Sequence, residues 1–233
     1  MPIVSRELAL PAGPRPTPNT SGIAPRWEWR IFQRRVPLRE LARFIKPTEP
    51  IRSVETYLLS SESAHNVKIR NDVLEVKRLD RITPAGLERW RPVLRVPFPL
   101  SADALATACD ALGVPTPRVL GRELARDAFF DLVVTPDTRL RAVETEKVRT
   151  RLSFGECPGE GVSLRIEGDP WESLAFEHRD AAVVLDTLRL LHLEVRLNTS
   201  YPSGLKRILG WPPGPDSLTL DVNIVEARRA PAF

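Results

Sequence analysis

The chain has 233 residues, 42% of them hydrophobic and 27% charged, with 34 Lys and Arg set against 30 Asp and Glu. That supplies enough apolar side chains for a proper core in one large domain or two small ones. A net charge of +4 argues against a dedicated nucleic-acid binder, whose basic excess is larger and gathered on one outer face.

Met1 to Ala24 holds Pro2, Pro11, Pro14, Pro16 and Pro18 without a long apolar core. It reads as a disordered or extended lead-in and not as a signal peptide. The folded domain is expected over residues 25–210. Arg26 to Arg34 alternates and is rich in aromatics, which predicts a first strand. Pro37 to Ile45, with Leu38, Leu41, Phe44 and Ile45, predicts a helix that Pro47 and Pro50 end. Ser53 to Ser60 predicts a second strand. His65 to Arg70 and Val73 to Leu79 flank Asn71-Asp72, a two-residue hairpin turn. Gly86 to Phe98 predicts a strand in which Pro92 and Pro97 mark an edge or a bulge.

Ser101 caps a predicted helix to Leu112, with Leu105, Ala106, Cys109 and Leu112 at helical spacing and Gly113 at its end. Further strand-like segments follow at Leu124 to Val134, Arg139 to Val143, Lys147 to Phe154, Val162 to Glu167 and Ser173 to Arg179. Asp180 caps a last helix, Ala181 to Leu191, and residues 211–233 read as a Pro-containing peripheral tail. Cys109 and Cys157 have no metal-type spacing and are too few for a disulfide scaffold, so a reducing cytoplasm is expected. No apolar run nears the roughly 20 residues that cross a bilayer. The fold class expected is α+β, mostly antiparallel β: a sheet that closes or nearly closes, with flanking helices.

The most informative pattern is charge at every second position of short strands: Arg26/Glu28/Arg30, Lys68/Arg70, Glu75/Lys77, Arg139/Arg141, Lys147/Arg149/Arg151 and Glu177/Arg179. Strand geometry puts each set on one face. An enclosed face of Lys and Arg with some Glu is costly unless an anion, with a metal, fills it. A closed barrel of about eight strands has room for one small ligand.

In this order the strands resemble the triphosphate tunnel metalloenzyme (CYTH-like) superfamily. The pattern comes closest to the polyphosphate-making domain of the vacuolar transporter chaperone family. The resemblance rests on Arg26-x-Glu28-x-Arg30-x-Phe32, Ser53 to Tyr57, Lys68/Arg70, Glu75/Lys77, Arg126-Asp127-Ala128-Phe129, Arg139/Arg141, Glu177/Arg179 and Ser200-Tyr201. It covers roughly residues 26–210. Strand one has Ile31-Phe32 after Arg30 and lacks the second acid of the Glu-x-Glu-x-Lys opening. The resemblance implies an eight-stranded tunnel acting on a triphosphate, polyphosphate or nucleoside triphosphate with Mg or Mn. Either a phosphohydrolase or a polyphosphate polymerase would fit.

The candidate phosphate-binding residues are Arg26, Lys68, Arg70, Lys77, Arg126, Arg139, Arg141, Arg149 and Arg179, since Arg grips phosphate through a planar fork. Glu28, Glu177 and Arg30 are the catalytic candidates, and Glu28, Glu177 and Glu75 the metal ligands, because Mg takes one or two carboxylates plus phosphate oxygens. Glu144 and Glu167 are lesser candidates. Two other readings stand beside this one. The first is a non-catalytic anion sensor of the same fold, and the second is a structural β domain whose charges pair on an outer surface.

Overall fold

The computed structural model describes residues 24–36, 49–119, 121 and 123–212. The expected helix at Pro37 to Ile45 lies outside them, as do the lead-in up to Gly22 and Ile23 and the tail beyond Pro212.

Eight antiparallel strands close into a barrel in the order β1 (Arg26–Gln33), β10 (Asp169–His178), β9 (Cys157–Ile166), β8 (Leu140–Phe154), β2 (Ile51–Ser60), β3 (Ser63–Arg70), β4 (Val73–Ile82) and β5 (Glu88–Pro97). Two short strands, β6 (Leu100–Ser101) and β7 (Glu123–Leu124), pair outside it. Asn71 and Asp72 both have positive φ, so the β3–β4 hairpin turns as the sequence predicts. The β4–β5 register shifts beside Pro92, where the missing N–H cannot serve the ladder. The closing seam is short: β1 meets β5 only from Arg26 opposite Trp90 to Glu28 opposite Glu88.

Alternation divides each strand between an outer and an inner face. Outward residues Val67, Ile69, Leu74, Val76 and Leu94 pack against Leu105, Ala108, Cys109 and Leu112 of α1 (Ala102–Leu112). Ser101 accepts from the Ala104 N–H and Gly113 takes the left-handed C-cap, as predicted. On the other side Trp29, Ile31, Leu174 and Phe176 pack against Val184 and Leu188 of α3 (Ala181–Leu190), which Asp180 caps.

Leu124 to Val134 is not a strand. After Glu123–Leu124 the chain forms α2 (Arg126–Phe129) and a π turn, Phe130–Val134. Phe129 and Val133 are buried four residues apart, a helical spacing. Arg139 to Val143 and Lys147 to Phe154 are one long strand, β8, and β9 and β10 both start earlier than expected. A fourth helix, α4 (Tyr201–Ile208), carries Pro202 in its first turn and Gly204 within it, which hid it in the sequence.

Helix α4 plugs one end of the barrel. Tyr201 and Leu205 pack among the inward residues Tyr57, Leu59, Val143, Val162, Leu164 and Ile166. The fit is close: a Cβ on Gly204 would lie 2.6 Å from the Phe32 ring. Lys206 is anchored to the Ser63 carbonyl at 2.7 Å. The strap leading into α4 runs beside β1, where Arg30 donates its N–H to Asn198 Oδ1 at 2.7 Å and accepts from the Thr199 N–H at 2.7 Å.

Candidate anion-binding lumen

Above the plug the barrel encloses a polar cavity of about 450 Å³. Its floor is a pair of stacked tyrosines, Tyr57 and Tyr201, with ring centroids 5.0 Å apart and planes 14° apart. Two cations lie on them. Lys147 Nζ stands 3.6 Å from the Tyr201 centroid, and the Arg30 guanidinium 4.4 Å from the same ring.

Arg30 is deeply buried and fully engaged. It donates to Glu28 at 2.9 Å, Ser173 Oγ at 3.0 Å and Glu160 at 2.7 Å. Burial works against its charge, but Glu28 and Glu160 outweigh it and raise the guanidinium further. Burial would likewise raise Glu160; Arg30 instead holds that carboxyl down at about 2.

Glu55 organises the opposite side. Its Oε2 accepts from Tyr57 OH at 3.0 Å, Lys68 at 3.0 Å and Lys147 at 2.9 Å, and its Oε1 accepts from Arg70 at 3.4 Å. Burial opposes its charge, yet Lys147 and Lys68 hold it ionised well below the usual carboxylate range. Burial pushes the Lys147 ammonium down to about 7, with Glu55 pulling the other way. Glu75 takes Arg70 at 2.6 Å and Lys68 at 3.5 Å.

The other lumen cations are looser. Arg149 lies 3.7 Å from Glu160. Among the described residues, Lys77 and Arg151 line the cavity with no carboxylate in ion-pair reach. Glu28 faces Glu177 across β1–β10 and Glu88 across β1–β5, so three glutamates stand side by side on adjacent strands. Glu177 takes Arg26 at 2.8 Å. Burial and then the Glu28 charge push Glu88 up to about 7, and one of its oxygens is buried without a hydrogen bond. No three His, Cys, Asp or Glu side chains among the described residues form a ready-made metal cage.

The structure therefore brings Arg26, Glu28, Arg30, Lys68, Lys77, Arg149 and Glu177 together around the cavity. Arg70 and Glu75 join them through ion pairs. The remaining nominees stand elsewhere. Arg141 has the inward parity of β8 but sits opposite Leu59 at the plugged end, paired with Glu167 and over Trp211. Arg139 lies in the turn before β8 with its Nε and Nη2 donating to the two carboxylate oxygens of Asp137. Arg126 opens α2, near Asp72 and the Phe130 ring. Arg179 follows the end of β10 and is exposed, and Glu144 points outward from β8.

Sequence reasoning missed Glu55, Lys147, Arg151, Glu160, Glu88 and the tyrosine floor as site residues. Lys147 and Arg151 share the alternation that nominated Arg149, so parity alone could have found them. Glu160 is hidden in Cys-Pro-Gly-Glu-Gly, which reads as a turn. Gly159 is there for closeness: a Cβ on it would lie 2.7 Å from the Ala175 carbonyl oxygen.

No family model matches the chain, and no curated protein sequence matches it. Among solved structures it is similar to a proposed adenylate cyclase from Bacillus halodurans, at 15% identity and a TM-score of 0.40, over 79% of this chain and 98% of that one. It is also similar to a proposed adenylyl cyclase from Hippeastrum described as having a dominant triphosphatase activity, at 9% identity and a TM-score of 0.38, over 74% and 88% of the two chains.

Proposed function

We propose that this chain is a metal-dependent hydrolase that takes the end of a triphosphate, a short polyphosphate or a nucleoside triphosphate into its lumen. The observation that carries this reading is a blind cavity whose wall holds Lys77 and Arg151 without carboxylate partners, near the facing pair Glu28 and Glu177. Lys77 is half-buried and Arg151 exposed, so both are open to an anion that enters the cavity and would give each the charge partner it lacks. The phosphates would lie on Lys77, Arg149 and Arg151, with Arg26 freed from Glu177 to join them.

Glu28 and Glu177 are the residues that would hold Mg or Mn, with phosphate oxygens and water completing the shell. When bound, the ion neutralises charge developing on the transferred phosphoryl group. The plug at the far end disfavours a polymerase that threads its product through the barrel. A non-catalytic anion sensor is the second reading. The ion pairs that already engage Glu28 and Glu177, and the lack of a preformed metal cage among the described residues, favour it.

The test is phosphate release from tripolyphosphate, long polyphosphate and ATP, each with Mg, Mn or chelator. Metal-dependent release from the short substrates, lost by orders of magnitude in Glu177→Gln, is the expected result. Binding without turnover selects the sensor, and no binding of any phosphate anion ends both readings.

A further inference from the structure

Resting on that reading of the lumen, we propose that Glu55 is a built-in anion. It fills the innermost phosphate-binding position and so fixes how far a substrate can descend. The position is a nest of donors. Lys147 Nζ, Lys68 Nζ and Tyr57 OH converge on the Oε2 of Glu55 at 2.9, 3.0 and 3.0 Å, Lys147 also donates to Tyr57 OH at 2.7 Å, and Arg70 reaches Oε1 at 3.4 Å. Ammonium groups, a guanidinium and a phenol aimed at one point are the donor set that a phosphate group would take, with oxygen replacing oxygen. Here the chain supplies the oxygens itself, from a side chain only 3% exposed.

The distribution of pairing gives the nest its meaning. Cations on the Glu55 side are saturated by Glu55 and Glu75. The cations left over are Lys77, two residues past Glu75 on β4, and Arg151, four residues past Lys147 on β8. An incoming chain of phosphates therefore meets open partners on the wall and a fixed negative charge at the nest. Removing that charge would expose the whole donor set at once. The lumen would then hold one more phosphoryl group and would release orthophosphate slowly. Glu55 is in this sense a residue that sets specificity and product release, separate from the Glu28 and Glu177 pair.

The experiment is calorimetric titration of wild type and Glu55→Gln with orthophosphate, pyrophosphate and tripolyphosphate, in chelator so that no metal enters. Glu55→Gln keeps the size and an acceptor oxygen but removes the charge. The proposal expects all three anions to bind the variant at least tenfold more tightly, with the largest gain for orthophosphate. Unchanged or weaker binding by a folded variant, while wild type binds tripolyphosphate, overturns the role of Glu55 and leaves the lumen reading intact. If neither protein binds any of the anions, the lumen reading itself falls and the proposal with it. Should the variant fail to fold, the wild-type structure with tripolyphosphate bound decides. Phosphate oxygens held by the wall cations, with Glu55 still on Lys147, support the proposal. A phosphate on Lys147 with Glu55 swung away refutes it.

Discussion

Replacing Arg30 with Met tests whether the barrel interior is held by its charges. The substitution keeps an unbranched chain over the Tyr201 ring and removes every side-chain donor. Glu28 and Glu160, 14% and 24% exposed, then lose the guanidinium between them, and Ser173 Oγ loses its donor. Removing one member of such a buried set costs about 3–5 kcal/mol, because the partner charges stay behind unpaired. For a protein of this size that is a fall in melting temperature of roughly 6–20 °C. Acid behaviour should change with it. Glu160 is depressed to about 2 from an ordinary 4.5, so its share of stability is present above the unfolded pKa and is lost as pH falls toward 2. Without Arg30 that part of the acid transition should flatten. Urea unfolding of wild type, Arg30→Met, Glu160→Gln and the double variant, at pH 7 and pH 3, measures both effects. The double variant should recover at least 1 kcal/mol of the summed losses. A loss under about 1 kcal/mol for Arg30→Met, or no coupling to Glu160, would show that the tyrosine floor and the plug hold the lumen without it.

Glu88→Gln should change the alkaline side instead. A carboxyl raised to about 7 contributes stability that is complete below its unfolded pKa of 4.5 and disappears as pH rises through 7. The variant should therefore be more stable than wild type at pH 8.5 by roughly 3 kcal/mol and show little difference at pH 4.5, as read from urea midpoints. Gly204→Ala forces a methyl into the Phe32 ring and should cost about 1–3 kcal/mol, visible as a lowered melting temperature; a neutral result would mean that α4 is not seated in the barrel. Lys77→Ala and Arg151→Ala should each weaken tripolyphosphate binding by about 1.5–3 kcal/mol with little change in melting temperature, since neither has a carboxylate partner to strand. Wild type itself should melt at a higher temperature in millimolar tripolyphosphate, and less so as salt is added.

Face was legible in the sequence, and height was not. Alternation alone assigns Arg26, Glu28, Arg30, Lys68, Lys77, Arg149 and Glu177 to one side of their strands, and all seven line the cavity. Arg141 follows the same rule and still falls outside, because β8 runs on past the polar half of the lumen into the plug. Parity says which way a side chain points but not how far along the barrel it lies. The centre of the site was the hardest part to see. Glu55 is a single acid in Ser-Val-Glu-Thr-Tyr, and nothing local marks it. Its importance comes from Lys68 on β3 and Lys147 on β8, distant in sequence. Arg126 was misplaced for a different reason: Phe129, Val133 and Val134 look like a buried strand until the spacing of the buried pair is taken as helical.

The short seam leaves two strand margins that a hoop of hydrogen bonds would otherwise have consumed, and an unconsumed margin invites pairing with another molecule. The two are protected by opposite means. Along β5 past Trp90 the sequence Arg91-Pro92-Val93-Leu94-Arg95-Val96-Pro97 interrupts the row of donors with prolines and flanks it with arginines. Along β1 no proline interrupts the row, and Arg30 turns its guanidinium into the lumen between the apolar Trp29, Ile31 and Phe32, a stretch suited to intermolecular β pairing. There the guard is borrowed from a segment far along the chain, since Asn198 and Thr199 occupy both backbone groups of Arg30. Colloidal stability of this protein thus hangs on a strap whose other duty is to deliver the plug. Whatever loosens the plug also bares this margin of β1.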